Sequence, residues 1–306
     1  MNEDALRRHA RRAVVQREAE RQGFHHQIEV RIRTNNDGVA DKRTKLYTGL
    51  GINDTHAVIN NLRWGLDGWI YATHGYSRGN VTSPDGSKVF GPDGSGVVRF
   101  KPDGSAFEQY SSRNGNTWGL DITWDGQVFW TQPTSGQLLM QTVLPEYALA
   151  RGKIGNTPSY NVVEPSLKTF PLMSWEQMAY VQIDWVGSFT AAAGCAIYDG
   201  GTWPAEYNGD YFTTEPTINI LHPARLTPQG SSYTFHKLPG REETEFIRSK
   251  DMWWRPIEVR VGPGDLGRVI GRRVAGGQGF IALRYQLRHR QGDVGRFGRR
   301  DDVSFA

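Results

Sequence analysis

Cysteine occurs once in 306 residues, at Cys195. No intrachain disulfide can form, and neither a zinc cluster of several thiolates nor a CxxCH haem attachment is encoded. No stretch approaches eighteen consecutive apolar residues, so no membrane-spanning helix is expected. The amino terminus lacks the apolar core of a signal peptide. Lysine is missing from both ends: all eight lysines fall between Lys42 and Lys250. Residues 1–34 carry eight arginines and residues 265–306 carry nine. The formal charge of +4 therefore belongs to the ends, because residues 35–264 hold 19 basic and 23 acidic side chains. A folded body of net charge −4 is no nucleic-acid platform, and the basic ends lack the interleaved aromatics of a binding arm. Arginine without lysine at both ends suggests a coding origin different from that of the body.

What the body has is glycine (36), tryptophan (10) and tyrosine (12), arranged in repeats. The phrase NNLRWGLDGWIYATHG, Asn60 to Gly75, returns as GNTWGLDITWDGQVFWTQ, Gly115 to Gln132, and more weakly as RPIEVRVGPGD, Arg255 to Asp265. Each full copy runs a short apolar strand into a Gly/Asp turn and a second strand. TKLYTGLG, GVVRFKPDGSAFEQYSS, SGQLLMQTVL and LTPQGSSYTF read as further strands and hairpins, their PDG and PQG turns using Pro to fix φ and Gly to accept positive φ. Strand–turn–strand units some fifty to sixty residues apart predict an all-β fold of β-propeller type. About three blades and a fragment are visible, so the ring is expected to be incomplete. Residues 145–190 read as a partly helical insertion. The expected organisation is an Arg-rich segment 1–33 with helical propensity, a propeller over 34–264, and an Arg-rich tail 265–306 expected to be disordered.

Three polar loops precede the candidate inner strands. They are NDTHAVINN, with His56 flanked by Asp54 and Thr55; SSRNGNTW, with Arg113, Asn114 and Trp118; and DMWWRP, with Arg255. In a propeller such loops converge at one mouth. A histidine there can serve as a general base near neutral pH, and arginines can bind carboxylates or a developing oxyanion. The competing reading makes His56 a structural hydrogen-bonding residue and the arginines ion-pair partners between blades. His74 and His222, near strand ends, are weaker candidates for the mouth, and Asn219 is one too. Cys195, in AAAGCAIY, reads as a buried strand residue. NNDGVADK lacks the alternating ligands of a calcium loop and reads as an Asx-rich turn.

Residues 34–264 resemble the propeller domain of the membrane-bound dehydrogenases common in planctomycetes, distant relatives of soluble quinoprotein glucose and sorbosone dehydrogenases. The phrases that carry the resemblance are DGVADKR, DTHAVINNLRWGLDGWIYATHG, GVVRFKPDG, SRNGNTWGLD, AAGCAIYDGGTWPAEYNGDYFTTEPTINILH and WWRPIEVRVGP. The resemblance implies a six-bladed quinoprotein fold and oxidation of a sugar or alcohol hydroxyl, with hydride passing to pyrroloquinoline quinone (PQQ). It implies His56 as the catalytic base and Arg113 beside the quinone carbonyls. Arg255, Asn114 and Trp118 are then the cofactor-binding residues. No protein-bound metal is assigned to particular residues, although calcium is a candidate cofactor, and no haem is expected in this chain. A cytochrome c acceptor in full-length relatives and a periplasmic location follow from the same resemblance. The sequence departs from the pattern around Tyr211 to Leu221, where a cofactor-binding lysine is missing. The alternatives are a non-catalytic glycan- or protein-binding propeller and a truncated, inactive fragment.

Overall fold

The computed structural model describes residues 14–16, 26–32, 42–54, 56–112, 115–132, 137–165, 168–178, 186–199, 203–252, 254–261, 267–273, 280–285 and 303–305. These residues are almost entirely β, in antiparallel sheets of the propeller-blade type. Two compact units divide the chain: residues 1–116 with 146–155, and residues 117–145 with 156–306.

The first unit holds two sheets. One has the order β1-β2-β3-β6-β7, from β1 (Val14–Gln16), β2 (His26–Ile32), β3 (Lys42–Leu50), β6 (Asn80–Thr82) and β7 (Val89–Pro92). The other is β4-β5-β8-β9: β4 (Asn60–Trp64), β5 (Ile70–His74), β8 (Gly96–Phe100) and β9 (Phe107–Ser112). Helix propensity around residues 14–16 yields to strand pairing, Val14 to Gln16 lying opposite Arg31 to Glu29. The two sheets share a core of Tyr47, Val81, Val98, Phe100 and Phe107, among others, each worth about 1.5–3 kcal/mol when fully buried. The Tyr47 hydroxyl escapes the cost of that burial by donating to the carbonyls of Lys101 and Ala106, which fixes the KPDGSA turn. Helix α1 (Glu146–Gly152) packs on β9, and Tyr147 faces Tyr110.

The second unit begins with a four-stranded sheet in chain order: β10 (Leu120–Ile122), β11 (Val128–Thr131), β12 (Gln137–Thr142) and β13 (Tyr160–Pro165). The supposed insertion thus supplies the fourth strand of this sheet, and only α1 and the single turn α2 (Trp175–Met178) in it are α-helical among the described residues. Next come β14 (Cys195–Ile197), β15 (Asp210–Glu215), β16 (Ile220–Gln229), β17 (Ser232–His236), β18 (Ile247–Ser249) and β22 (Val303–Phe305) in one sheet. β19 (Trp254–Val261), β20 (Gly267–Arg273) and β21 (Phe280–Tyr285) form the last. The backbone of 267–273 and 280–285 therefore runs as strands beside β19, where the sequence shows no periodicity. Cys195 is buried on β14, as its small-residue surroundings imply. Gly119 has a steric reason: a Cβ there would overlap the Ala193 carbonyl, so β10 and the segment before β14 approach through a bare backbone.

Candidate active site

In the first unit the polar loop before β4 folds on Asp54. Its Oδ1 accepts the backbone N–H of His56 at 2.8 Å, an Asx turn, and the Ala57 N–H closes on the Asp54 carbonyl at 3.0 Å. The same Oδ1 lies 3.2 Å from His56 Nδ1. The Tyr76 hydroxyl donates to the other carboxylate oxygen. Ser77 locks the main chain of the loop: its Oγ accepts the Asp54 N–H at 2.9 Å, and its own N–H donates to the Ala57 carbonyl at 3.1 Å. Asn116 Nδ2 donates to the His56 carbonyl at 3.2 Å. Gly75 sits beneath; a Cβ there would overlap Asn116 and the Ala57 backbone.

The electrostatics follow from these bonds. The Tyr76 hydroxyl and then the His56 N–H hold the Asp54 carboxyl below its ordinary value, so it is ionised near neutrality. A carboxylate at Nδ1 places the ring proton on that nitrogen and leaves Nε2 as a proton acceptor. The His56 side chain is 87% exposed, so Nε2 is open to solvent.

Beneath the loop His74 ends β5 fully buried, with Nδ1 at 2.8 Å from the Gly75 carbonyl and Nε2 at 3.0 Å from Asp93 Oδ2. Asp93 also accepts the N–H groups of Gly51 at 3.1 Å and Gly79 at 2.5 Å. Burial works against its ionisation, but His74 and the two N–H groups prevail and its pKa is lowered. His74 is thus not at the mouth. It anchors the segment 75–79 that brings Tyr76 and Ser77 to Asp54.

Of the other expected residues, Arg113 and Asn114 lie outside the described residues. Trp118 belongs to the second unit, half-buried, with its N–H on the Thr131 carbonyl at 3.0 Å. Thr131 secures that loop, its hydroxyl accepting the Gly119 N–H and donating to the Ala193 carbonyl, both at 2.7 Å. Arg255 is buried at 7% exposure. Its Nη1 donates to the carbonyls of Pro216 and Thr217, both at 2.7 Å, and to Asn219 Oδ1 at 3.1 Å. From the other side Glu215 accepts the Thr217 N–H at 2.9 Å and those of Thr190 and Ala191 at 3.1 and 2.8 Å. Arg255 and Glu215 together clamp the β15–β16 turn, in which Asn219 takes a φ of 57°. Through Nη1, Arg255 holds that turn by its carbonyl and amide oxygens.

His222 is likewise interior. Its ring bridges Glu245 at 2.8 Å and Glu164 at 3.2 Å, with Lys237 3.2 Å from Glu245 and the Phe189 ring edge-on at 5.0 Å. Asp93, Glu164, Glu215 and Glu245 escaped sequence reasoning because their partners are distant in the chain. The Asp-x-His spacing of Asp54 and His56 and the polar Tyr76–Ser77 pair were the visible signals. Among the described residues no group of three or more His, Cys, Asp or Glu side chains is placed to hold a metal ion, and no helix is long and apolar enough to cross a membrane.

Residues 27–266 match the model of a family described as a domain of unknown function, DUF7133, and the chain belongs to that family. No curated protein matches the sequence. Among solved structures, the chain is similar to a glucose dehydrogenase at 16% identity and a TM-score of 0.49, over 85% of this chain and 75% of that one. It is similar to the soluble aldose sugar dehydrogenase of Escherichia coli in its apo form at 12% identity and a TM-score of 0.46, covering 84% and 73%. The PQQ-bound aldose sugar dehydrogenase of Streptomyces coelicolor aligns at 14% identity and a TM-score of 0.45, covering 84% and 71%.

Proposed function

We propose that this chain is the propeller of a quinoprotein-type sugar or alcohol dehydrogenase in which His56 removes the proton of the substrate hydroxyl. The observation that carries the reading is the Asp54–His56 pair, with Nδ1 on a carboxylate and Nε2 open. Losing a hydride from a carbinol carbon is easier once the hydroxyl proton is leaving, and an imidazole backed by an ionised carboxylate is suited to take it. Asp54 stabilises the imidazolium that forms, and Tyr76 and Ser77 hold Asp54 in place. In this reading the protein works outside the cytoplasm and delivers electrons to a separate acceptor such as a cytochrome c.

PQQ would be the hydride acceptor. It carries several carboxylates and calls for cations, and Arg255 does not fit that role, being buried and bonded to three oxygens of the β15–β16 turn. In this reading His56 would serve as the base, and Arg255 would not serve as the anchor. The test is reconstitution of the chain with PQQ and calcium, assayed with an artificial electron acceptor against a panel of aldoses and alcohols. Turnover of at least one of them is expected; no change in cofactor absorbance together with no turnover would contradict the reading.

A further inference from the structure

We infer that the second unit carries a binding site for a small organic cation, an alkylammonium or guanidinium group, in the cleft between Trp124 and Tyr233, with Asp125 and Asp199 as its counter-charges. The cleft has a volume of about 260 Å³, somewhat below the roughly 300–1,000 Å³ of drug-sized ligand sites, which suits a small cation. Trp124 and Asp125 form the tip of the WDG turn between β10 and β11, at the opposite end of β10 from Trp118. Asp199 follows β14, and Tyr233 stands on β17.

The walls are aromatic. Trp124 is 76% exposed, an unusual position for the largest apolar side chain, while Phe129 is buried and meets Tyr233 edge-on at 5.4 Å. The fold already fixes both carboxylates. Thr123 Oγ1 donates to Asp125, and the Trp124 N–H donates to Asp199 at 3.1 Å. Neither carboxylate has a Lys, Arg or His ion-pair partner among the described residues, although they are close enough to oppose each other. Burial, and with it the Asp125 charge, pushes the Asp199 carboxyl up against the pull of the Trp124 N–H. Burial and both aspartates push the Tyr233 phenol up in the same way. Two like charges and an open aromatic face have one complement, a cation that offers N–H donors to the carboxylates and its charge to the rings. A neutral sugar would stack on Trp124 but leave the repulsion in place.

The experiment is calorimetric titration of the full chain with butylammonium and methylguanidinium chloride, with tryptophan fluorescence as a second readout. Butanol and methyl glucoside serve as the neutral controls. Saturable binding of the cations, no saturable binding of butanol, and a weakening of about tenfold or more in Asp199→Asn and Asp125→Asn are expected. The butanol comparison needs no variant and so does not depend on the folding of one. Absence of saturable cation binding, equal binding of butanol, or glucoside binding unchanged by Asp199→Asn would overturn the proposal.

Discussion

The Nδ1 of His56 lies 3.2 Å from Oδ1 of Asp54, and the carboxylate is held on its far side by the hydroxyl of Tyr76. In the proposed mechanism this pairing would make the exposed loop histidine an oriented base. Asp54→Asn keeps an oxygen for the Asx turn but removes the charge that stabilises the imidazolium. With the holoenzyme it should lower kcat by about 10²–10⁴-fold with KM little changed. Steady-state kinetics check this.

Tyr76→Phe removes only the hydroxyl bond to Asp54. The Asp54 carboxyl should then titrate closer to its ordinary 3.8, because its principal stabilising hydrogen bond is gone. A carbon-detected NMR titration of the carboxyl reads that movement, and a titration unchanged from the parent would show that Tyr76 does not hold Asp54.

His222 bridges two fully buried glutamates, and removing it takes the histidine from Glu164 and leaves Glu245 with Lys237 as its ion-pair partner. His222→Leu should cost about 3–5 kcal/mol in denaturant unfolding. The pH dependence follows from the same cluster. Burial opposes the charged ring, but Glu245 and Glu164 outweigh it and raise the His222 pKa from 6.5 to about 9. A group raised in the folded state stabilises fully below its unfolded value and loses that contribution as pH rises through the folded one. Tm should therefore fall between about pH 6.5 and 9, and His222→Leu should flatten that limb.

Glu215 acts in a lower window. Burial pushes its carboxyl from 4.5 up to about 7, against the three N–H groups it accepts. Its protonated form is favoured by folding, so this contribution is whole below pH 4.5 and lost as pH rises through about 7. Glu215→Gln should remove a slope worth on the order of 3 kcal/mol across that window, measured by urea unfolding at several pH values.

Arg255→Lys tests the clamp on the β15–β16 turn. A lysine cannot reproduce the contacts of one guanidinium nitrogen to two carbonyls and an amide oxygen, and about 2–4 kcal/mol of stability should go. Loss of stability without loss of PQQ affinity in the surviving folded protein would separate the turn role from cofactor anchoring.

The strands that turn chemistry marks were legible in the sequence. β4 and β5, β10 and β11, and β16 and β17 each stand where a Gly turn divides two apolar runs. β13 was not, because Tyr160–Pro165 carries no turn signal of its own and is a strand only through pairing with β12. His56 was visible because its loop is polar and local, with Asp54 two residues away. His74 and His222 looked alike in sequence yet are core residues. Their partners Asp93, Glu164 and Glu245 lie 19, 58 and 23 residues distant, and only tertiary structure brings them together. The turn contacts of Arg255 were hidden for the same reason, since the oxygens it binds lie 36 to 39 residues earlier.

The most direct measurement is turnover by the PQQ-reconstituted chain and its His56→Ala variant, on a sugar that the parent oxidises with an artificial acceptor. The base assignment requires kcat to fall by about 10²–10⁴-fold while PQQ affinity and thermal unfolding stay unchanged. A variant that turns over at the parental rate would contradict it.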